Sequence, residues 1–183
     1  MFARDDTRPR LSRPLKSMRE YYQALKYLEK LSSRPKAKKY EDDPKLNPDF
    51  FIQRTRYLLD EVGDPERGIK IIHIAGTAGK GTVATMLHEV LQAAGFNAGL
   101  FTSPYVTSAI EEIKVNDKYI ARKEFTVLAN RLKPHIEKAF ESGPYGGPSY
   151  FEVFFVMAML YFKKQKCDWV KLYKKSLKTK LAL

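Results

Sequence analysis

Residues 69–75 form a short, mostly aliphatic run, and a polar, glycine-rich stretch follows at once. That is the signature of a buried parallel strand running into a tight loop. Beyond the loop, Val83, Met86, Leu87, Val90, Leu91 and Ala94 recur at helical spacing, and Gly95 stands where a C-cap glycine belongs. Residues 97–102 read as a second strand. Residues 110–115 and 118–121 flank Asn116-Asp117 as a hairpin. Residues 123–141 are helical by period, with Pro134 expected to kink or divide them. Residues 142–148 hold three glycines and two prolines and form a loop. Residues 149–164 are a further helix, and 167–170 begin a third strand.

Upstream, Ser17-Met18-Arg19-Glu20 reads as a capping box opening a helix, with Met18, Tyr22, Leu25, Leu28 and Leu31 inward. Asn47-Pro48 reads as an N-cap followed by proline at the first helical position. That helix is expected to run to about Val62, with Phe51, Thr55, Leu58, Leu59 and Val62 inward. Strands alternating with helices predict an α/β fold: an incomplete parallel sheet with flanking helices and a helical N-terminal extension. The expected division is 1–46 as a basic extension, 47–170 as a partial nucleotide-binding domain and 171–183 as a basic tail.

Charge sharpens that division. The 183 residues carry a net charge of +12. Residues 1–40 hold 12 Lys or Arg against 4 Asp or Glu, and residues 171–183 hold five Lys and no acid. The stretch between is nearly neutral, so the basicity belongs to the two ends and reads as solvated charge. No nucleic-acid partner is expected, since neither zinc-finger spacing nor an aromatic-and-basic RNA motif occurs. The single cysteine, Cys167, excludes an internal disulfide and suits a reducing cytoplasm; it reads as a small buried residue. No signal peptide is expected. The longest apolar run, 153–162, is too short to cross a bilayer.

The chemistry sits in Gly76-Thr77-Ala78-Gly79-Lys80-Gly81-Thr82. Glycines let the backbone turn and approach a ligand closely. A helix starting there aims unpaired N–H groups and its positive end at one point, which suits a phosphate. Lys80 would place a charge on the outer phosphates of ATP, and Thr82 a hydroxyl on Mg²⁺. The literal Walker A spacing fails, because Ile74 stands where its first glycine belongs and Gly81 separates Lys80 from Thr82.

This departure, followed by Leu100-Phe101-Thr102-Ser103-Pro104-Tyr105-Val106, resembles the Mur ligase superfamily, and within it folylpolyglutamate synthase and dihydrofolate synthase. Those enzymes typically show GTNGKGS and GLFTSPHL. Ser149-Tyr150-Phe151-Glu152-Val153 is similar to their FFE helix start, and the segment from Glu111 is similar to their ERI-x-INGxxI pattern. The resemblance covers about residues 48–170. It implies a P-loop fold of the Mur ligase central-domain kind, with Ser103 and Glu152 joining Thr82 as Mg²⁺ ligands. It implies ATP-dependent joining of L-glutamate to a folate through an acyl phosphate, by a cytoplasmic monomer, with the folate near residues 103–109. For Glu152 a second reading stays open, because Ser149-x-x-Glu152 is also a capping box. Ser103 could equally shape a turn before Pro104. Tyr105 stands where the family has histidine and Ala78 where it has asparagine, which bears on substrate preference.

After Cys167-Asp168-Trp169-Val170 the family continues into a Gly-rich LEVGLGGRLDATN-like segment. Here the chain turns wholly basic. A frameshifted or aberrant end over 171–183 is the expectation, tested by translating the neighbouring DNA in its other frames. A second expectation is that the chain alone has little ligase activity. A non-catalytic nucleotide-binding module, another Mur-type ligase and a nucleic-acid binder are the competing readings.

Overall fold

The computed structural model describes residues 13–34 and 49–173. Among the described residues there are five α-helices: α1 (Arg13–Lys30), α2 (Asp49–Glu61), α3 (Lys80–Ala93), α4 (Arg122–Ser142) and α5 (Tyr150–Lys164). Five strands accompany them: β1 (Lys70–Ile74), β2 (Ala98–Phe101), β3 (Ile113–Val115), β4 (Lys118–Tyr119) and β5 (Trp169–Tyr173). The sheet order is β1-β5-β2-β3-β4. The expected α/β architecture is present, but the sheet is mixed and not all parallel. β5 pairs in parallel with both β1 and β2, whereas β2–β3 and β3–β4 are antiparallel. The third strand thus inserts between the first two, as a βαβ crossover permits. It continues through Tyr173, which pairs with Ile74, so three residues of the basic segment lie in the sheet.

Side-chain alternation assigns the two faces. Phe101 packs its ring 5.8 Å from Phe151 and 6.1 Å from Phe155 of α5. A Cβ on Gly99 would lie 2.8 Å from the Phe162 ring and 2.9 Å from Val170, so α5 closes on β2 only because position 99 is glycine. Gly99 and Phe101 therefore face α5, while Ala98 and Leu100 face α3. α5 is buried from Glu152 to Phe162, enclosed by the sheet and by α1, α2 and α4. Tyr21 and Phe125 meet edge-to-face at 5.2 Å, and Phe125 packs on Phe154 at 5.5 Å. Burial of these rings, at ~1.5–3 kcal/mol each, carries most of the drive for the layer.

Several expectations are corrected. α1 begins at Arg13, so Ser17 lies inside the helix and caps nothing. Its inward face is Tyr21, Ala24, Leu28 and Leu31, with Met18 and Tyr22 exposed, a rotation toward α4 that apolar spacing alone did not resolve. α1 packs into the core shared with α4 and α5. In α2, Phe51 is exposed and Arg54 is buried. α4 runs unbroken through Pro134. Asn47-Pro48 lies outside the described residues.

The largest correction concerns α3. Its sheet-facing residues are Ala84, His88 and the buried Lys80, while Val83, Met86 and Val90 are 51%, 63% and 62% exposed. Both sides of α3 read as apolar, and the small Ala84 lets the helix settle close to the sheet. β1 pairs only with β5 among the described residues, and it is half-exposed where a buried strand was expected.

Candidate nucleotide site

β1 ends at Ile74 and α3 begins at Lys80, so the glycine-rich residues form the whole connection. Gly79 is the N-cap with φ +70°, a left-handed conformation that suits glycine. No side chain caps this helix end and its first turn holds no acid. The N–H groups of Lys80, Gly81 and Thr82 therefore remain for a ligand, beside the positive end of the helix. Thr77, Ala78, Gly79 and Thr82 are exposed. Lys80 folds back: its Nζ donates to the Gly76 carbonyl at 2.6 Å and the Thr77 carbonyl at 3.2 Å. The ammonium is thus held against the loop's own carbonyls, with a third proton still to give.

The other expected site residues converge on the same edge of the sheet. β1 and β2 flank β5 in parallel, so residues 75–79 and Ser103 both leave the carboxyl ends of their strands, where open α/β sheets bind ligands. Phe151, seated on Phe101, brings the first turn of α5 to that edge too. The residues that follow Ser103 are pinned. Glu111 completes a capping box with Ser108, and its carboxylate also accepts from the Val106 and Thr107 N–H groups at 3.2 and 3.3 Å. Ser108 lies 3.2 Å from the Tyr21 hydroxyl, which ties the segment to α1.

Glu152 is not free. One of its oxygens accepts from the Ser149 N–H at 2.6 Å and the Ser149 hydroxyl at 2.7 Å, as the capping-box reading requires. Arg54 Nε lies 3.0 and 2.9 Å from the two carboxylate oxygens, and Arg54 Nη2 2.9 Å from one of them, inside the core. A hard cation such as Mg²⁺ takes oxygen ligands. The Thr82 and Ser103 hydroxyls fit that donor set, whereas the Glu152 carboxylate is already neutralised. Among the described residues no cluster of three or more His, Cys, Asp or Glu forms a metal centre.

Three functional-looking residues were not foreseen. Arg54 is one, and its signal was an arginine on the inward spacing of α2. Glu112 is the second, 2% exposed under the segment after Ser103. Burial pushes its carboxyl up to about 7, against the opposing pull of the Tyr105 N–H and the Ser103 side chain. The third is Lys171, buried on β5 beneath α3, whose Nζ lies 3.0 Å from His88 Nδ1. His88 Nε2 lies 2.9 Å from the Asn116 carbonyl. A neutral ring therefore donates from Nε2 and accepts from the ammonium at Nδ1.

A strand, an uncapped glycine loop with an inward lysine, a helix and a serine at the next strand end define a P-loop-type α/β fold like that of the Mur ligases. No family model matches the chain. It is 42% identical over 120 residues to the dihydrofolate synthase/folylpolyglutamate synthase of Bacillus subtilis, covering 65% of this chain and 28% of that protein. It is 32% identical over 122 residues to the dihydrofolate synthetase of Saccharomyces cerevisiae, covering 64% and 26%. The folylpolyglutamate synthase structure from Thermotoga maritima superposes with a TM-score of 0.70 at 30% identity, covering 85% of this chain and 33% of that one. The Mycobacterium tuberculosis folylpolyglutamate synthase, solved with ADP, gives 0.72 at 25% identity, covering 86% and 32%. By sequence and fold the chain is therefore similar to part of the folylpolyglutamate and dihydrofolate synthases, and it spans about a third of their length or less. Among the described residues no helix is long and apolar enough to cross a membrane.

Proposed function

We propose that this chain is the ATP-binding portion of a ligase that joins L-glutamate to a folate. The observation that carries this reading is the uncapped α3 N-terminus with Lys80 held in its loop, in a chain similar to synthases that include one solved with ADP. ATP would supply the phosphoryl group that turns a carboxylate into an acyl phosphate, open to attack by the glutamate amine. The residues of this chain would bind and orient. Main-chain N–H groups of 79–82 would hold phosphate oxygens, Lys80 would spread positive charge over them, and Thr82 and Ser103 would offer hydroxyls to Mg²⁺. The folate would lie beside residues 103–109. The buried thiol of Cys167 fits a reducing compartment such as the cytoplasm, and a monomer is the simplest state.

The buried Arg54–Glu152 pair favours a second reading. With its expected acidic ligand neutralised, the chain would bind nucleotide and turn nothing over. Calorimetric titration of ATP and ADP into wild type and Lys80→Ala tests nucleotide binding. Absence of binding by wild type would overturn it, and an affinity unchanged by Lys80→Ala would remove Lys80 from the site. Incorporation of labelled glutamate into a folate by the purified chain would overturn the binding-only reading, whereas nucleotide binding without turnover fits both, because little ligase activity is expected of this portion alone.

A further inference from the structure

Val106 is 92% exposed, yet the chain around it is held on several sides. The Glu111 carboxylate takes three successive main-chain N–H groups, those of Val106 and Thr107 at 3.2 and 3.3 Å and that of Ser108 at 2.9 Å. Helix α1 adds two more ties. The Tyr21 hydroxyl is 3.2 Å from Ser108 Oγ, and the Tyr105 hydroxyl donates to Glu29 Oε1 at 3.5 Å. From Tyr21 to Glu29 the helix rises about 12 Å, and from Tyr105 to Ser108 an extended chain spans about 10 Å. The ties match in length, so the segment lies along α1 and antiparallel to it. Tyr21 is 1% exposed with its ring against Phe125, which makes it a fixed post. Ala109, next in the chain, is fully buried. Single exposed apolar residues are ordinary. This one is set apart by its tethers and by its place, just beyond Ser103 at the strand ends where open α/β sheets bind ligands. The N–H groups of 106–108 are occupied by Glu111, so the segment offers a ligand apolar surface and not anion contacts. That suits the flat rings of a folate and not its carboxylates. A loop already ordered loses little further entropy on binding.

We infer that residues 105–108 form a preset platform for the ring system of a folate, with Val106 as its apolar contact and Tyr21 of α1 as the positioning residue that holds it. The inference rests on the placement of the folate beside residues 103–109 proposed above. It gives α1 a part in the site, although the motifs that carry the resemblance all lie beyond that helix. Calorimetry titrates folic acid and, separately, ADP into the full chain. The variants are Val106→Ser, Tyr21→Phe, Ser108→Ala and the Tyr21→Phe/Ser108→Ala double, each with a thermal melt. Expected for Val106→Ser is a loss of about fivefold in folic acid affinity, with ADP affinity within about twofold and the melt unchanged, because so exposed a side chain holds no core contact. Expected for Tyr21→Phe is a loss of about threefold for folic acid alone. The double variant should bind no more weakly than either single one, since each removes the same tie. Ser108→Ala carries that half of the test if Tyr21→Phe fails to fold. Unchanged folic acid affinity in Val106→Ser overturns the contact. No loss in Tyr21→Phe, or equal losses for folic acid and ADP, makes Tyr21 a packing residue and overturns its positioning role. A wild type that binds ADP and not folic acid removes the folate from this segment, and the inference with it, while the nucleotide reading stands. Binding of neither overturns the proposed function itself.

Discussion

Arg54 and Glu152 form a buried ion pair that fastens α2 to the first turn of α5, with Arg54 Nε 2.9 and 3.0 Å from the two carboxylate oxygens. Removing one partner leaves the other charge buried alone, which costs about 3–5 kcal/mol. Arg54→Met should therefore lower the urea midpoint sharply. Arg54→Met/Glu152→Gln should recover part of that loss, because both buried charges go together. A double-mutant cycle by urea denaturation measures the coupling. Additive losses would show that the two residues act separately and that the pair is not a clamp.

Gly79 holds the P-loop open through a left-handed φ of +70°. An alanine there meets no neighbour within 4 Å, so its penalty is conformational and not steric crowding. Gly79→Ala should cost ~1–2 kcal/mol of stability, or shift the loop to a right-handed turn that re-aims its N–H groups. Expected is a loss of at least about tenfold in ATP affinity at temperatures where the variant stays folded, since the anion site is built from that backbone. Calorimetric titration of ATP checks it. Affinity equal to wild type would mean that the loop conformation at residue 79 does not matter for binding.

Local chemistry was the most legible part of this chain. The strand into residues 76–82, the capping box of Ser149 and Glu152, and the turn at Asn116-Asp117 each need only neighbouring residues, and each is where the pattern put it. What the pattern could not reach depends on which face a helix turns inward and on which strand lies beside which. Both sides of α3 are apolar, so Ala84 and His88 facing the sheet could not be told from Val83, Met86 and Val90. The partner of Glu152 lies 98 residues away on α2 and could not be read from a capping motif. Nor did Lys171 signal that it sits in a central strand, because a lysine among lysines reads as solvated. Its placement follows from β5 entering between β1 and β2.

The approach of α5 to the sheet gives a packing test. A methyl at position 99 would fall 2.8 Å from the Phe162 ring and 2.9 Å from Val170, too close for either to accept without moving. Phe162 is fully buried, so its ring has no free direction. Gly99→Ala should destabilise by about 1–3 kcal/mol, as overpacking of a filled core does. Adding Phe162→Leu should offset part of the strain by removing the ring atoms in contact. Urea denaturation of the two single variants and the double variant reads this out. A Gly99→Ala protein as stable as wild type would mean that α5 can back away from β2 at no cost.

Lys171 supplies the pH dependence. It is fully buried, and burial presses its ammonium down to about 8 from the ordinary 10.5. The groups bearing on it are Cys167 and Glu89, which favour its charge, and Lys114, which opposes it. His88, which accepts from it, is itself held below its ordinary value by burial and by Lys171. For a base whose folded value is depressed, the unfolded chain binds more protons between the folded and unfolded values. Stability therefore rises with pH across that interval. The full interval from 8 to 10.5 is equivalent to about 3 kcal/mol, of which the first unit is the clean window. Glu112, raised to about 7, works in the opposite direction below that pH, and Cys167, raised to about 12, does so from about 9 upward. Urea midpoints should thus climb between pH 7.5 and 9 in wild type. Lys171→Leu should flatten that climb and raise stability at pH 7.5, where wild type carries the whole cost of a buried ammonium. Parallel profiles for the two proteins would show that the Lys171 ammonium is hydrated in the folded state.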